Sequence, residues 1–332
     1  MIANIAVEHR KLGRTGPEVF PIGLGCMGMS GVYGPTDDAE SLATIHAAID
    51  AGVNLIDTGD FYGMGHNEML IGRALHFQRE DVLLSVKFGA QRGPDGAWIG
   101  YDARPAAVKT ALAYSLKRLG TDYIDIYRPA RLDPNVPIED TVGAIADMIK
   151  AGYVRQAGLS EVGPETIRRA VAAHPVVDLQ IEYSVISRGP EEKIFPVLEE
   201  LGIGVTAYGV LSRGLLSNSQ PAAAGDFRAR LPRFTGDNRA SNEALAAKLK
   251  EIAGDRGVTQ SQLAIAWVMA KRPWIVPVMG ARTRTQLAET LSALEVKLTA
   301  DEIAAIEAAI PANAAAGARY DEHQMRVLDS EK

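Results

Sequence analysis

Short apolar runs rich in β-branched residues recur along the chain, and most lack the apolar/polar alternation of a half-solvated strand. They are FPIGLG (20–25), NLID (54–57), DVLLSVK (81–87), YIDIY (123–127), QAGLS (156–160), DLQIEY (178–183), GVTAY (204–208) and WIVPVM (274–279). Runs of this kind predict strands covered on both faces. Between them, apolar positions change to helical spacing. TDDAESLATIHAAIDAG ends in Gly52, and RPAAVKTALAYSLKRLG opens beside a proline and closes with Lys117, Arg118 and Gly120. A proline start and a basic, glycine-terminated end are helix boundary signals. The same pattern predicts helices over 138–151, 164–173, 190–201, 259–271 and 283–294.

Eight strand–helix units predict a closed (β/α)8 TIM barrel, read as one domain spanning 1–332. An open doubly wound sheet is the rival. It normally opens its first helix with GxGxxG, whereas GLGCMGMSG here runs on through VYGPT before any helix starts. HRKLGRTGPEVF (9–20) reads as a hairpin turning at Thr15-Gly16, suited to closing the barrel bottom. Residues 209–241 form a long polar loop after the seventh strand, a length usually kept for function. Added helices are expected over 242–254 and 299–310. The tail, 311–332, has no clear period and is expected to fold over the barrel mouth or to fray.

The formal net charge of −6 argues against a nucleic-acid surface, while leaving room for a local basic pocket. Cys26 is the one cysteine, so no internal disulfide can form, in keeping with a reducing compartment. There is no cationic start followed by an apolar stretch and no apolar run of membrane-spanning length. A soluble, cytoplasmic protein without membrane or nucleic-acid partners is expected.

Candidate chemistry gathers at the predicted strand ends, which converge at one mouth of a barrel. LIDTGDFYGMGHNE (55–68) leaves strand two with Asp57 and Tyr62, and LLSVKFG closes strand three with Lys87. Such an aspartate and lysine can pair across neighbouring strands. A phenol beside the lysine would have its pKa lowered, making Tyr62 a candidate proton donor to a developing alkoxide. The plainer reading is a buried salt bridge with a rim tyrosine. YIDIYRPARLDP (123–134) places Tyr127 in the core and Arg128 and Arg131 at the mouth, or on an ordinary charged loop. Asp125 reads as a structural interior charge. Ser160, Glu161, Gln180, Glu182 and Tyr208 end strands five to seven and suit an amide-bearing ring, with Tyr208 as a stacking face. GARTRTQLAET offers Arg282 and Arg284 at a helix start, suited to a phosphate, and Arg213 in SRGLL offers a second anion contact. Two anion sites around one mouth suit a dinucleotide. His66 reads as a rim or cap residue, and His46, His76 and His174 show no metal-binding spacing. Cys26 has no visible histidine partner.

Taken in order, RKLGRTG, IGLGCMGMS, LIDTGDFYGMGHNE, LLSVKFG, YIDIYRPARLDPNVPIEDTVGAI, GLSE, QIEYS, YGVLSRGLL and TRTQLAET resemble the aldo-keto reductases over nearly the whole chain. The wording is most similar to microbial members that reduce aldehydes, including pyridoxal-type reductases. The resemblance implies metal-free, NADPH-dependent reduction of a small aldehyde or ketone, with NADH possible as cofactor. It implies Asp57, Tyr62 and Lys87 as the catalytic set and Ser160, Gln180 and Tyr208 at the nicotinamide. Leu211, Arg213 and Leu215 would lie at the pyrophosphate. Gly280, Arg282, Arg284 and Gln286 would meet the 2′-phosphate and adenosine end, with Glu289 near the adenine. The substrate walls would be Met27, Phe61, Trp98 and part of the 209–241 loop, with Arg128 and Ala130 nearby.

One departure stands out. The family's histidine after strand four is replaced by Ala130. A water beside Ala130 would restore a weaker carbonyl contact; alternatively Arg128 or Arg131 turns inward and selects an anionic or phenolate-bearing substrate. Glu161 and Thr290 also stand where asparagine is common. Two rival functions remain open at this stage. One is a catalytically weak NADP(H)-binding regulatory or interaction protein, and the other a barrel isomerase or lyase without nicotinamide. Oligomeric state is open.

Overall fold

The computed structural model describes residues 7–217, 219 and 226–332. Residues 218 and 220–225 of the expected long loop lie outside that range. The apolar runs form eight parallel strands: β1 (Gly23–Gly25), β2 (Leu55–Gly59), β3 (Leu83–Phe88), β4 (Ile124–Pro129), β5 (Val154–Ser160), β6 (Val176–Glu182), β7 (Gly204–Tyr208) and β8 (Ile275–Gly280). Each pairs with its neighbour in sequence and β8 returns to β1, closing the barrel. This is the expected (β/α)8 fold.

The strands are buried on both faces because helices wrap them. Helix Asp38–Asp50 starts where the Asp37 side chain accepts from the backbone N–H groups of Ala39 and Glu40. Pro105–Leu119 begins with proline and ends at Gly120 in the left-handed conformation. The N-terminal hairpin pairs Arg10–Lys11 with Glu18–Val19. Its Leu12 and Val19 join Leu55, Ile126, Val177, Val276 and Val278 in a buried cluster that seals the barrel bottom. Gly13 approaches β7 so closely that a Cβ would lie 2.5 Å from the Val177 carbonyl oxygen and 2.8 Å from the Gly204 nitrogen.

Two features differ from expectation. The added helix runs from Gly236 to Asp255, longer than 242–254, so the loop after β7 is shorter. A second hairpin, Ala90–Arg92 with Trp98–Tyr101, follows β3. The tail takes the first of its two expected courses: Arg319, Tyr320 and Ser330 pack onto the strand ends at the mouth. Among the described residues, no helix is long and apolar enough to cross a membrane.

Candidate active site

Strand register builds the inner layer of the site. Asp57 pairs in register with Ser85, and Gly59 with Lys87, so the side chains of Ser85 and Lys87 share one face of β3 beside Asp57. Asp57 is 5% exposed, and a carboxylate at that depth needs partners. One oxygen, Oδ1, accepts from Lys87 Nζ at 2.5 Å. The other, Oδ2, accepts from Ser85 Oγ and from Gln180 Nε2, both at 2.8 Å. Tyr62 begins a tight turn, Tyr62–Gly65, in which Gly63 and Met64 adopt left-handed backbone. Lys87 Nζ lies 5.1 Å from the centroid of the Tyr62 ring. Phe61 packs edge-on against Tyr62 at 4.8 Å and against Trp98 at 6.5 Å. Asp57, Tyr62, Lys87, Phe61 and Trp98 are thus gathered in one place, as the sequence suggested.

The expected lowering of the Tyr62 pKa is not found. Burial, followed by the negative charge of Asp57, pushes the phenol well above its usual value, with Arg131 opposing. The ammonium of Lys87 is committed to Asp57, so its field at the phenol is largely cancelled. Burial also lowers the Lys87 pKa, against the attraction of Asp57. Tyr62 therefore keeps its proton at neutral pH.

Arg128 is not at the mouth. It is fully buried inside the barrel, ion-paired to Asp178 Oδ2 at 2.9 Å. It donates to Thr206 Oγ1 and to Ser85 Oγ, each at 3.0 Å. A substrate-binding role for Arg128 is therefore corrected: it steadies Ser85, which in turn holds Asp57. Its partner was missed, although Asp178, Gln180 and Glu182 alternate along β6 and so share one face. Burial raises the Asp178 pKa, with Arg128 opposing.

The outer layer is built around Arg131. Ala130 is buried at 3% exposure, with its N–H donated to the Phe88 carbonyl at 2.8 Å. Arg131 folds back so that Nη1 reaches the Ala130 carbonyl at 2.6 Å and Ser160 Oγ at 3.5 Å. Its Nη2 reaches the hydroxyls of Tyr320 at 3.2 Å and Tyr208 at 3.4 Å. Arg131 thus turns inward beside Ala130, toward the ends of β5 and β7.

Glu161 lies at the end of β5 with a left-handed backbone (φ 52) and no exposed surface. Its carboxylate accepts from Arg319 at 3.1 and 2.9 Å, from the Tyr208 hydroxyl at 2.7 Å and from the Glu182 N–H at 2.9 Å. Burial works to raise its pKa, but Arg319, Arg131 and Ser330 outweigh burial and hold it below the usual carboxylate range. Glu182, also buried, pairs with Arg213 at 2.9 Å and Arg233 at 3.5 Å. Sequence reading missed Arg319, Tyr320 and Arg233. Two carboxylates at adjacent strand exits, each in need of a cation, were the available signal.

The groups expected to hold a cofactor fall in an arc. Ser160 and Gln180 are buried and Tyr208 half-buried at the ends of β5, β6 and β7. Leu211 and Leu215 flank the kinked turn Ser212–Gly214, whose Arg213 backbone is left-handed and whose guanidinium lies over the Tyr320 ring at 4.4 Å. Gly280 ends β8, exposed. Beyond it, Arg282 donates to the carbonyls of Tyr33 at 3.2 Å and Pro35 at 3.4 Å, and its N–H donates to Gln286 Oε1 at 2.8 Å. Arg284 pairs with Glu40 at 2.8 Å. Glu289 accepts from Thr259 Oγ1 at 3.0 Å. Both arginines thus stand at the β8 exit already engaged by protein groups. Met27 opens a short turn after β1. His66 bridges Ser30 at 3.0 Å and Asp38 at 3.2 Å, a rim position. Cys26 is buried, and burial raises its thiol pKa.

Known proteins resemble this chain in sequence and fold. The Aldo/keto reductase family profile matches residues 21–311. A protein of Glycine max named probable aldo-keto reductase 1 is 38% identical over 321 residues, which span 95% of this chain and 92% of that one. Among solved structures, a glycerol dehydrogenase of Gluconobacter oxydans superposes with a TM-score of 0.82 at 27% identity, covering 92% of this chain and 95% of that one. An aldo-keto reductase of Bacillus halodurans in its holo form gives 0.77 at 29% identity, covering 96% and 99%. With the family profile matched over most of its length and a relative of this similarity spanning nearly all of it, the chain belongs to the aldo/keto reductase family of NAD(P)H-dependent oxidoreductases.

Proposed function

We propose that this chain reduces aldehydes or ketones to alcohols with NADPH, and that Tyr62 delivers the proton. The donor set fits such a cofactor. A phenol face (Tyr208), a hydroxyl (Ser160) and a carboxamide (Gln180) suit an amide-bearing aromatic ring, and the guanidiniums of Arg213, Arg282 and Arg284 suit its phosphates. When bound, the reduced nicotinamide supplies the hydride. The protein's own part is placement and proton supply. Tyr62 stays protonated, so a carbonyl oxygen set against its hydroxyl meets a donor as negative charge develops. Lys87 and Asp57 fix the surroundings of that phenol, and Ser85 and Gln180 occupy the remaining aspartate oxygen so that the pair does not swing. Phe61 and Trp98 offer an aromatic wall beside the reacting group.

The observation that carries this reading is the meeting of Tyr62, Lys87 and Asp57 at the mouth. Tyr62→Phe removes the hydroxyl and keeps the ring. It should lower turnover by orders of magnitude while NADPH affinity, followed by fluorescence titration, stays nearly constant. A variant retaining half the wild-type rate would remove Tyr62 from the role. Ala130 supports a second reading, an NADP(H)-binding protein with weak catalysis. Tight NADPH binding with no turnover across an aldehyde panel would favour that reading.

A further inference from the structure

We infer that Arg131 is an anion-recognising residue of the substrate pocket, and that the preferred carbonyl substrates carry a carboxylate or similar oxyanion. This rests on the reductase reading above.

Arg131 differs from the other guanidiniums of the mouth in what it touches. Arg213 pairs with Glu182, Arg233 pairs with Glu182, and Arg319 pairs with Glu161 and Glu331. Among the described residues, Arg131 has no carboxylate within 4.0 Å. Its partners are the hydroxyls of Ser160, Tyr208 and Tyr320 and one backbone carbonyl. Three of those contacts are 3.2 Å or longer, beyond the 2.7–2.9 Å typical of charge-assisted bonds. An arginine cannot shed its proton, so this partly buried group stays cationic. The wider balance points the same way. Arg131, Arg213, Arg233 and Arg319 face two fully buried carboxylates, Glu161 and Glu182, with the more exposed Glu331 as a third. A positive charge is left over, and Arg131 is the one of the four without a carboxylate partner of its own.

The position suits substrate rather than scaffold. Arg131 lies two residues beyond β4, between the exit of β3, which carries Lys87, and the exit of β5, which carries Ser160. Its charge is the leading cationic influence on the Tyr62 phenol and also acts on Tyr101. Its charge therefore reaches both the proton donor and the aromatic wall, where Trp98 meets Phe61 at 6.5 Å and Tyr101 at 5.0 Å. A carbonyl compound reaching Tyr62 along that wall comes within the field of a guanidinium that no carboxylate contacts. A planar carboxylate can take two parallel bonds from it, a match that a neutral carbonyl tail cannot make.

A matched pair of substrates tests this: 4-carboxybenzaldehyde and its neutral methyl ester, each assayed with NADPH in wild type, Arg131→Met and Arg131→Lys. The wild type should favour the carboxylate in kcat/KM. Arg131→Met should reduce the carboxylate-to-ester ratio about 10- to 100-fold, mostly through KM, because a hydrogen bond to a charged group is worth about that factor. Arg131→Lys should recover part of the ratio by restoring the charge without the fork. A wild-type preference for the ester, an unchanged ratio in Arg131→Met, or a loss of NADPH affinity matching the loss in rate would overturn the inference; the last would give Arg131 to the cofactor. Calorimetry of benzoate with the NADP+ complex gives a readout independent of turnover. Benzoate binding that vanishes in Arg131→Met, in a protein that turns over neither aldehyde, would defeat the reductase reading and keep the anion site. Turnover of both aldehydes with no Arg131-dependent benzoate binding would do the reverse.

Discussion

Replacing Arg319 with methionine removes the cation that neutralises a buried carboxylate while keeping most of the side-chain volume. Arg319 is 7% exposed and Glu161 is fully buried. The change deletes two charge-assisted bonds to Glu161, at 3.1 and 2.9 Å, and an ion pair with Glu182 at 3.4 Å. Breaking a buried ion pair from one side costs about 3–5 kcal/mol. Here Glu161 keeps the Tyr208 hydroxyl, the Glu182 N–H and the Ser330 hydroxyl, and Glu182 keeps Arg213 and Arg233. The expected loss at neutral pH is therefore about 2–4 kcal/mol. The pH dependence follows from the depressed pKa of Glu161 in the folded protein. A depressed carboxylate contributes stability above its unfolded pKa and loses it as pH falls through the folded one. Without Arg319 the folded pKa rises, so the gap between variant and wild type should narrow as the pH is lowered toward the unfolded value. Urea unfolding at neutral and mildly acidic pH measures both, and a cycle with Glu161→Gln isolates the pair. The charge argument fails if Arg319→Met changes stability by less than about 0.5 kcal/mol, or if the cycle shows no coupling.

Three further outcomes follow from the same geometry. Lys87→Met should depress single-turnover rates by orders of magnitude and also lower the melting temperature, because Asp57 is left buried with only Ser85 and Gln180; a fully active, equally stable variant contradicts this. Asp60 is pushed up to about 7, first by burial and then by the charge of Glu68. With a folded pKa raised above the unfolded one, its contribution is present below the unfolded value and is lost as pH rises through about 7. Asp60→Asn should thus gain roughly 2–3 kcal/mol on wild type at pH 8 relative to pH 5, and parallel melting profiles would refute it. If Arg282 and Arg284 meet a 2′-phosphate, Arg282→Ala with Arg284→Ala should weaken NADPH about tenfold more than NADH, whereas Glu40→Gln, which frees Arg284, should tighten NADPH; equal losses for both cofactors count against this role.

The barrel and its central ion pair were legible because a lysine and an aspartate on apolar strands are tolerated only in company, and adjacent strand ends supply it. The error over Arg128 has a definite origin. The apolar run YIDIY stops at 127, but β4 continues to Pro129, so Arg128 belongs to the strand and faces the barrel interior. A guanidinium at a strand end reads like a rim charge until Asp178, fifty residues later by sequence, is known to face it. The second hairpin left a usable trace in GPDG, where the Gly93 N–H meets the Ala97 carbonyl at 2.8 Å. The outer layer left almost none. Glu161 and Arg319 are 158 positions apart, and only the return of the tail across the mouth brings them together. Local pattern shows that Glu161 needs a cation but not which one.

Tyr62 connects the two charge layers. Burial raises the phenol pKa; on one side Asp57 carries a negative charge that adds to the rise, and on the other Arg131 carries a positive charge that lowers it. The inner anion is fixed, because both of its oxygens are held by Lys87, Ser85 and Gln180. The outer cation is adjustable, since its partners within reach are hydroxyls and a carbonyl. A substrate carboxylate seated on Arg131 would gain binding energy and at the same time screen the cation from the phenol, leaving Tyr62 a slightly weaker acid. The two effects act on different constants. Attraction to Arg131 is present in the ground state as well as the transition state and lowers KM, whereas the weakened acid acts on kcat. For an anionic aldehyde the advantage should therefore lie in KM and be partly offset in kcat. A neutral aldehyde should show a weaker KM with Tyr62 still under the full field of Arg131. This division separates an anion site beside the proton donor from one elsewhere on the rim, where an advantage in KM would carry no loss in kcat.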